Sequence, residues 1–257
     1  MIEVNKIGGN IIDNPDALDN FLKEFSKKKG RKILVHGGGK EATRLSGKLG
    51  VEAKMINGRR VTGEETIEIV TMVYAGLINK RIVSKLQAVG CDAIGLTGAD
   101  GNVTPAVKRN PIPIDYGLVG DINPEEINKK FINLLLENGM TPVFCAICHD
   151  NKGQLLNCNA DTIASSIAVA LAENNEVRLT YCFEKPGVLK DKDDDSSVIS
   201  LITPEYFETL VEDGIVAEGM IPKIQNAIKA TQKGVAEVKI GSADINQEAA
   251  GTTIRLK

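Results

Sequence analysis

The stretch Ile33-Leu34-Val35-His36-Gly37-Gly38-Gly39 runs an apolar segment straight into three consecutive glycines. A short apolar run that is bounded by glycine is typical of a strand buried on both faces. Beyond the glycines, apolar side chains recur at helical spacing at Ala42, Leu45 and Leu49, and Gly50 ends the pattern. A buried strand that passes through a tight turn into a helix is the building unit of a parallel α/β sheet.

The same alternation of strand and helix signals extends along the chain. We therefore predict a three-layer αβα sandwich with a mainly parallel central sheet, built as a single domain over residues 1–257. The predicted strands are 2–7, 33–36, 92–96, 141–147, 176–183, 237–240 and 252–256, with a hairpin at Asn57-Gly58. The predicted helices run from Asn14-Pro15 to Gly30, over 39–50, from the capping box Thr62-x-x-Glu65 to about Gly90, from Asn123-Pro124 to Gly139, and over 160–173, 204–213 and about 220–233.

Composition excludes several classes of protein. The chain has 257 residues, of which 42% are hydrophobic and 25% charged, and its formal net charge is −3. These values exclude a disordered chain, a collagen-like chain and a disulfide scaffold. A nucleic-acid-binding domain is usually basic, so we expect no nucleic-acid partner. No apolar run approaches the ~18 residues of a membrane span, and no signal-peptide layout is present at the N-terminus, so we expect a cytoplasmic protein with no membrane partner.

The five cysteines, an odd number, suit a reducing compartment in which thiols serve as small core residues. Cys145-x-x-Cys148 is followed by His149 and Cys158, but this spacing matches no standard zinc pattern. The pair also ends an apolar strand-like run instead of opening a helix, unlike a redox motif. We therefore predict no metal ligands and assign these thiols to core packing.

Two glycine clusters follow predicted strands, so both would lie at the carboxyl-terminal edge of the sheet. The first is Gly8-Gly9, close after Lys6, and the second is Gly37-Gly38-Gly39, directly before a helix. Ligands of parallel sheets bind at this edge, and free N–H groups at a helix N-terminus attract anions. A tight turn explains either cluster alone, but the two together with a lysine favour a site for a pair of charged groups.

Three further polar features point to similar chemistry. Asn157, Asn159 and Asp161 surround the start of an alanine-rich helix, whereas a helix cap needs only Asn159. Lys223 lies early in a helix, where the helix dipole disfavours a cation unless an anion faces it; a solvated lysine is the alternative. Arg60, beside the hairpin turn, can bind a carboxylate through two parallel hydrogen bonds.

Neither of two common phosphate-binding motifs accounts for the glycines. A P-loop needs Gly-Lys-Ser/Thr, whereas Gly39-Lys40 is followed by Glu41. Gly37-x-Gly39-x-x-Ala42 fits the dinucleotide fingerprint loosely, but it follows the second predicted strand instead of the first. Binding of NAD without ATP turnover is the observation that would support a dehydrogenase.

Taken in order, the motifs resemble those of the amino acid kinase superfamily and, within it, those of the N-acetylglutamate kinases. The resemblance spans almost the whole chain and rests on the ordered set, because no single motif is decisive. The segments that carry it are Lys6-x-Gly8-Gly9, His36-Gly37-Gly38-Gly39, Gly58-x-Arg60-Val61-Thr62, Gly95-Leu96-Thr97-Gly98-x-Asp100-Gly101, Leu135-x-Glu137-Asn138-Gly139 with Pro142, Asn157-x-Asn159-Ala160-Asp161, Gly219-Met220-x-x-Lys223 and Gly251-Thr252.

The resemblance implies an ATP-dependent kinase that phosphorylates the γ-carboxylate of N-acetyl-L-glutamate, or of another N-acylglutamate such as N-succinylglutamate, in arginine biosynthesis. It implies that Lys6 and Lys223 stabilise the transferred phosphoryl group and that Asp161 positions both lysines. Mg²⁺ would accompany ATP. The N-terminal part, about 1–175, would bind the acyl-amino acid, and the C-terminal part, about 176–257, would bind the nucleotide.

The resemblance also implies the binding residues. Gly38 and Gly39 would hold the γ-carboxylate, and Arg60 and Asn157 the α-carboxylate, with Asn159 beside them. The residues assigned to the nucleotide are Gly8, Gly9, Glu184, Lys185, Pro186, Gly187, Val188, Leu189, Ile215, Val216 and Ala217.

The chain departs from the family pattern at two places. Phe183-Glu184-Lys185 stands where Thr/Ser-Asp is usual, and Cys145-Ala146-Ile147-Cys148 stands where smaller residues are common, so we expect differences around the nucleotide and the acyl group. The alternatives are a sister kinase acting on aminoadipate or carbamate, and a non-catalytic effector-binding sensor on the same fold. From the first strand at the very start of the chain and the long apolar stripe over 70–89, we expect a homodimer with little inhibition by arginine.

Overall fold

The first apolar run forms β1 (Ile2–Ile7) in the middle of the central sheet of this computed structural model. β1 pairs in parallel with β2 (Arg31–His36), and residues 32–36 of β2 are buried without interruption. Side chains of successive strand residues point to opposite faces, so layers cover both faces of the sheet. The structure describes residues 1–183, 185–216, 220–242 and 251–256.

Strands and helices alternate along the described chain. The strands are β1 (Ile2–Ile7), β2 (Arg31–His36), β3 (Met55–Ile56), β4 (Arg59–Arg60), β5 (Ala93–Leu96), β6 (Ala106–Lys108), β7 (Gly120–Ile122), β8 (Thr141–Phe144), β9 (Ile147–His149), β10 (Leu155–Asn157), β11 (Val177–Cys182), β12 (Leu201–Ile202), β13 (Glu237–Gly241) and β14 (Thr252–Ile254). The α-helices are α1 (Gly9–Asp13), α2 (Pro15–Lys27), α3 (Gly39–Lys48), α4 (Glu64–Thr71), α5 (Asn79–Ala88), α6 (Lys129–Glu137), α7 (Ala160–Ala172), α8 (Pro204–Glu212) and α9 (Ile221–Gln232).

Eight of the described strands form one sheet in the order β12-β14-β13-β11-β1-β2-β8-β5. Its pairings are parallel except for the one between β13 and β14. The predicted fold class is therefore confirmed. Since β1 lies between β2 and β11, the carboxyl ends of strands that are distant in sequence meet at one edge. None of the helices in the described parts of the chain is long and apolar enough to cross a lipid bilayer.

Local signals in the sequence explain several boundaries. The side chain of Asn14 accepts hydrogen bonds from the backbone N–H groups of Asp16 and Ala17, so it caps α2 as predicted. Asn57 and Gly58 have positive φ values of 49° and 73°, which suit the tight turn of the β3–β4 hairpin. The predicted hairpin is confirmed, and its two strands are each two residues long.

Three local predictions are wrong. Thr62 does not cap α4, because its hydroxyl donates to the carbonyl of Arg60, and the N-cap is Gly63. The predicted helix from Asn123 is a short 3-10 turn, Pro124–Glu126, and α6 begins separately after its own cap, Asn128. The predicted strand 141–147 is divided into β8 and β9, and β9 pairs with β10, which the sequence analysis did not predict.

The long helix predicted after residue 62 contains a π-helical segment, Met72–Ile78, which joins α4 to α5. Its wider turns bring Tyr74, Ile78 and Asn79 toward the end of β2. Most of the apolar stripe packs into the core of this chain, whereas Leu77 and Val89 are exposed.

Candidate active site

A cavity of about 260 Å³ opens at the carboxyl ends of β1 and β2. The residues that line it come from β1, the glycine turns, the β3–β4 hairpin and the start of α7, so the parallel sheet brings distant segments together as predicted. Nine of the residues that the sequence analysis selected line this cavity: Lys6, Gly8, Gly9, Gly38, Gly39, Arg60, Asn157, Asn159 and Asp161.

Lys6 and Asp161 form an ion pair at the centre of this edge. Nζ of Lys6 lies 2.8 Å from Oδ1 of Asp161, and the two side chains are 16% and 38% exposed. Lys6 belongs to β1, while Asp161 lies in the first turn of α7, where the helix dipole favours a carboxylate. The pair therefore joins the sheet to the helix and leaves the ammonium group accessible to the cavity.

The second glycine cluster forms a backbone cradle at the N-terminus of α3. Gly38 has φ +154°, and a Cβ atom there would lie 2.3 Å from Cδ1 of Ile78. Gly39 has nothing within 4 Å of its Cβ position, so the first turn of α3 is open on that side. Because the first N–H groups of a helix lack intrahelical partners, this open turn can donate to an anion.

His36 supports the cradle from below. It is fully buried, its Nδ1 lies 2.8 Å from the carbonyl oxygen of Gly37, and its Nε2 lies 3.1 Å from Nδ2 of Asn79. Burial lowers the pKa of His36 to about 4, so the ring is neutral at physiological pH. The neutral ring therefore supports the glycine turn. His36 is not among the described residues that line the cavity.

Arg60 is buried, and hydrogen bonds to residues of α3 orient its side chain. Its Nη2 donates to the carbonyl of Gly39, at 2.9 Å, and to Oγ1 of Thr43, at 2.7 Å. Its Nη1 is buried and has no hydrogen-bond partner among the described residues. A buried guanidinium nitrogen without an acceptor is costly, so this atom is suited to bind an anionic ligand.

Asn157 and Asn159 take different positions at the entry to α7. Nδ2 of Asn157 donates to Oγ1 of Thr62 at 3.0 Å. Oδ1 of Asn159 accepts from the backbone N–H groups of Asp161 and Thr162, so it caps the helix. Both line the cavity, but the cap already uses the side-chain oxygen of Asn159, which leaves its amide NH₂ group for a ligand.

Lys223 faces a second, smaller cavity of about 50 Å³. Lys6 and Asp161 line this cavity too, together with Tyr181 and Phe183. Asp161 forms its ion pair with Lys6, and among the described residues none forms an ion pair with Lys223. The predicted role of Asp161 toward Lys223 stays a prediction.

The residues predicted to bind the nucleotide divide into four groups. Gly8 and Gly9 line the larger cavity. Gly187 and Val188 are buried, and the backbone N–H of Val188 donates to Oγ1 of Thr252, so this segment packs against β14. Glu184 and Ala217 lie outside the described residues. The other described members, which line neither of these two cavities, are Lys185, Pro186, Leu189, Ile215 and Val216.

Several residues of the larger cavity were not predicted from the sequence, and Met55, Arg59 and Val119 are among them. Tyr74, Arg109 and Cys158 line its wall. Tyr74 was assigned to the apolar stripe, and its ring would contact a Cβ atom at Gly38. Burial raises the pKa of the Tyr74 hydroxyl, and the nearby charge of Arg60 opposes that effect. No motif marks Tyr74 or Arg109, because their place depends on the π-helical segment and on the β6–β7 pair, whereas Cys158 lies between the motif residues Asn157 and Asn159.

The cysteines are buried thiols, as predicted for core packing. Burial raises the pKa of Cys145 and Cys182 to about 12, so both are protonated and unreactive at neutral pH. Cys145 and Cys148 lie behind the cavity wall, whereas Ala146 and Cys158 reach it. The expected difference around the acyl group stays a prediction.

Known proteins resemble this chain over most of its length. A model of the amino acid kinase family matches residues 1–242. An acetylglutamate kinase of Phocaeicola vulgatus is 51% identical over 254 residues, which cover 99% of this chain and 98% of that protein. An acetylglutamate kinase of Cytophaga hutchinsonii is 53% identical over 241 residues, which cover 93% of this chain and 90% of that protein.

A solved structure has the same architecture. The crystal structure of a protein from Streptococcus mutans UA159 superposes with a TM-score of 0.78 at 30% identity, and the match covers 100% of this chain and 99% of that one. The family match and the relatives thus agree over nearly the full length. The chain belongs to the amino acid kinase family and, within it, to the group of the acetylglutamate kinases.

Proposed function

We propose that the site transfers the γ-phosphoryl group of ATP to the γ-carboxylate of N-acetyl-L-glutamate, a reaction of arginine biosynthesis. The observation that carries this proposal is that Lys6 and Asp161 lie on the walls of both cavities. A lysine with this placement faces an acceptor in the larger cavity and a phosphate donor that reaches into the smaller one. It can stabilise the charge that spreads over the phosphoryl oxygens during transfer.

A carboxylate acceptor requires no general base, because a carboxyl group with a pKa near 4.3 is already ionised at neutral pH. The difficulty is the repulsion between this anion and the triphosphate. Lys6, Lys223 and the open N–H groups of the glycine cradle supply positive electrostatic potential at the point of transfer. The catalytic contribution of the chain is therefore positioning and charge stabilisation.

The cradle and Arg60 are placed to hold the two ends of the acceptor. In this proposal Gly38 and Gly39 donate to the γ-carboxylate, while Nη1 of Arg60 and the amide of Asn157 bind the α-carboxylate. The unpaired Nη1 of Arg60 supports this assignment, since a carboxylate would satisfy it. Carbamate has no α-carboxylate, so Arg60 favours an amino-acid-derived acceptor over carbamate.

Mg²⁺ enters with ATP in this proposal. In the part of the chain that the structure describes, no group of three or more His, Cys, Asp or Glu side chains is placed to hold a metal ion. Such a site fits an ion held mainly by phosphate oxygens and water. The bound ion neutralises phosphate charge, and Asp161 is the carboxylate of the site that can face it while Oδ1 holds Lys6.

N-Succinylglutamate is a second candidate acceptor, and the position of Arg109 favours it. Arg109 lines the larger cavity, its side chain is 18% exposed, and Nε donates to both carboxylate oxygens of Asp121 at 3.0 Å. N-Acetylglutamate has two carboxylates, for which the cradle and Arg60 are enough. A third carboxylate on a longer acyl chain would have Arg109 available.

We further propose that the protein acts in the cytoplasm as a homodimer, and that residues up to about 175 bind the acyl-amino acid while residues from about 176 bind the nucleotide. Exposed Met72 and Leu77 on the π-helical segment support the dimer, because a second copy of the chain could bury apolar surface that one chain leaves exposed. A stable hexamer in light scattering, or strong inhibition by arginine, would contradict this assembly.

The deciding experiment measures ADP release with MgATP and each of three acceptors: N-acetylglutamate, N-succinylglutamate and free glutamate. We expect turnover with the acylated acids and little with free glutamate, because an acylated nitrogen carries no ammonium charge beside Arg60. Faster turnover of free glutamate than of both acylated forms would overturn the assignment. Tight NAD binding without ATP turnover would favour a dehydrogenase, and ligand binding without turnover a sensor.

A further inference from the structure

Lys223 is held in an unusual way for a lysine in an anion-binding site. It is the third residue of α9, so it lies near the positive end of the helix dipole, which disfavours a cation. The first turn of α9 contains no acidic residue that could offset this effect. Among residues 1–183, 185–216, 220–242 and 251–256, none accepts a hydrogen bond or an ion pair from its ammonium. Instead, Nζ of Lys223 lies 4.9 Å from the centroid of the Phe183 ring.

Phe183 is fixed by the sheet. Its backbone N–H donates to the carbonyl of Gly241 at 2.8 Å, which continues the pairing of β11 with β13 beyond Cys182. Its side chain is partly buried and packs against the core. The ring is therefore a rigid platform at the carboxyl end of a central strand, on the wall of the smaller cavity.

Two other lysines show what is distinctive about this contact. Lys6 is paired with a carboxylate at 2.8 Å. Lys32 lies 5.2 Å from the centroid of the Phe25 ring, but it also donates to the carbonyl oxygens of Phe25, Ser26 and Lys28. The ammonium of Lys32 is therefore held by carbonyl oxygens as well as by a ring. For the ammonium of Lys223, the ring of Phe183 is the partner that the described residues provide.

An aromatic face differs from a carboxylate as a partner for a phosphate-binding lysine. It attracts the ammonium through its quadrupole and carries no net negative charge. A carboxylate in the same place would hold the lysine more strongly but would also repel an incoming phosphate. A ring thus holds the lysine in position and keeps its full positive charge available for the phosphoryl group.

We propose that Phe183 is a positioning residue that holds the ammonium of Lys223 at the smaller cavity, ready for the transferred phosphoryl group. This inference rests on the kinase function proposed above. If Lys223 acts mainly in the transition state, loss of the ring should lower kcat and leave the KM of both substrates nearly unchanged. The size of an exposed cation–π contact predicts a loss of about twofold to fivefold.

The test replaces Phe183 by 4-fluoro-, 3,5-difluoro- and 3,4,5-trifluorophenylalanine, which keep the shape of the ring and progressively weaken its negative face. We expect kcat to fall stepwise with the number of fluorine atoms. Phe183→Tyr should retain most of kcat, and Phe183→Leu should lose as much as the trifluoro variant or more.

The matched control is the same series at Phe131, which lies in α6 and contacts Gly101. A flat kcat series at position 183, equal losses at positions 183 and 131, or a change in the KM of ATP alone would overturn the inference. The last result would mean that the ring stacks on the nucleotide base. Unmodified protein that released no ADP with any acylated glutamate would instead refute the proposed function, so the two failures are distinguishable.

Discussion

Nδ2 of Asn79 lies 3.1 Å from Nε2 of His36. Together, the partners of the two ring nitrogens determine which nitrogen of this buried ring carries the proton. Nδ1 of His36 lies 2.8 Å from the carbonyl oxygen of Gly37, and a carbonyl can only accept, so Nδ1 is the donor. Nε2 then accepts from the amide of Asn79, which also donates to the carbonyl of Val143. The pair thus ties the glycine cradle to α5 and β8.

The buried His36 predicts a pH dependence of stability. Its pKa in the folded protein is about 4, below its ordinary value of 6.5, so the unfolded chain binds more protons between these values. The free energy of unfolding should therefore fall by about 3 kcal/mol as the pH drops from 6.5 through 4. Urea unfolding at several pH values measures it. His36→Gln should flatten this slope, whereas His149→Gln should keep it.

The lysines of the site should affect turnover more than binding. We expect Lys223→Ala and Lys6→Ala each to lower kcat by about 10²–10³ while the KM of the acylglutamate changes little. Asp161→Asn should also be slow, because Lys6 loses its partner at 2.8 Å. Steady-state kinetics on variants checked by circular dichroism provide the measurement.

The control for these variants is Lys129→Ala. Lys129 pairs with Glu173 at the surface, where such an ion pair contributes little. Its variant should retain normal kcat. A folded Lys223→Ala protein with near-normal turnover would refute the proposed transition-state role.

Arg60 should affect the binding of the acceptor. Arg60→Lys loses the planar fork that donates to Gly39 and Thr43 and that leaves Nη1 free for a ligand. We expect the KM of the acylglutamate to rise by about tenfold to a hundredfold, with a smaller change in kcat. Arg81→Lys, on the exposed side of α5, is the matched control. An unchanged KM in Arg60→Lys would remove Arg60 from the acceptor site.

Gly38 and Gly39 are adjacent but should respond differently to alanine. At Gly38 a Cβ atom would meet Ile78 at 2.3 Å in a backbone conformation that side chains rarely adopt. Gly38→Ala should therefore destabilise the fold by about 1–3 kcal/mol. Gly39→Ala, with open space at its Cβ, should retain the stability of the parent protein. Thermal unfolding of the two variants tests this difference, and equal melting temperatures would contradict it.

Arg109 should separate the two candidate acceptors. Arg109→Gln removes the charge from the wall of the larger cavity but leaves the cradle and Arg60 in place. If a succinyl carboxylate binds there, kcat/KM for N-succinylglutamate should fall by about tenfold or more, while the value for N-acetylglutamate changes little. Equal losses with both acceptors would mean that Arg109 supports the fold through Asp121 and Tyr116.

The sequence was sufficient to predict the sheet and most of the larger cavity, because those depend on local signals. An apolar run such as residues 33–36 predicts a buried strand without reference to distant residues, and the glycines mark where the backbone must turn. The π-helical segment could not be predicted in this way, since Tyr74 and Ile78 fit an α-helical stripe equally well. The folded backbone shows the π-helical turns, which place Tyr74 and Ile78 together against the Cβ position of Gly38.

Other predictions were limited because a side chain that can form a local hydrogen bond can instead bond to a residue distant in sequence. Thr62 has the spacing of a capping box, yet its hydroxyl donates to Arg60 and accepts from Asn157, so a tertiary contact replaces the local one. Arg109 belongs to no motif, and it reaches the cavity because β6 and β7 lie beside it. Such contacts join residues far apart in sequence, and no local pattern contains them.

The ion pair between Lys6 and Asp161 is a partition with a substrate on each side in the proposed reaction. A single molecule that links an acylglutamate to an adenosine polyphosphate would span this partition and occupy both compartments at once. Its second half would bind as an intramolecular event at high effective concentration, without the full loss of translational freedom. The fold therefore defines the linker that such an inhibitor needs. The linker should be about as long as one phosphoryl group between its donor and acceptor oxygens, and it should pass directly beside the ammonium of Lys6.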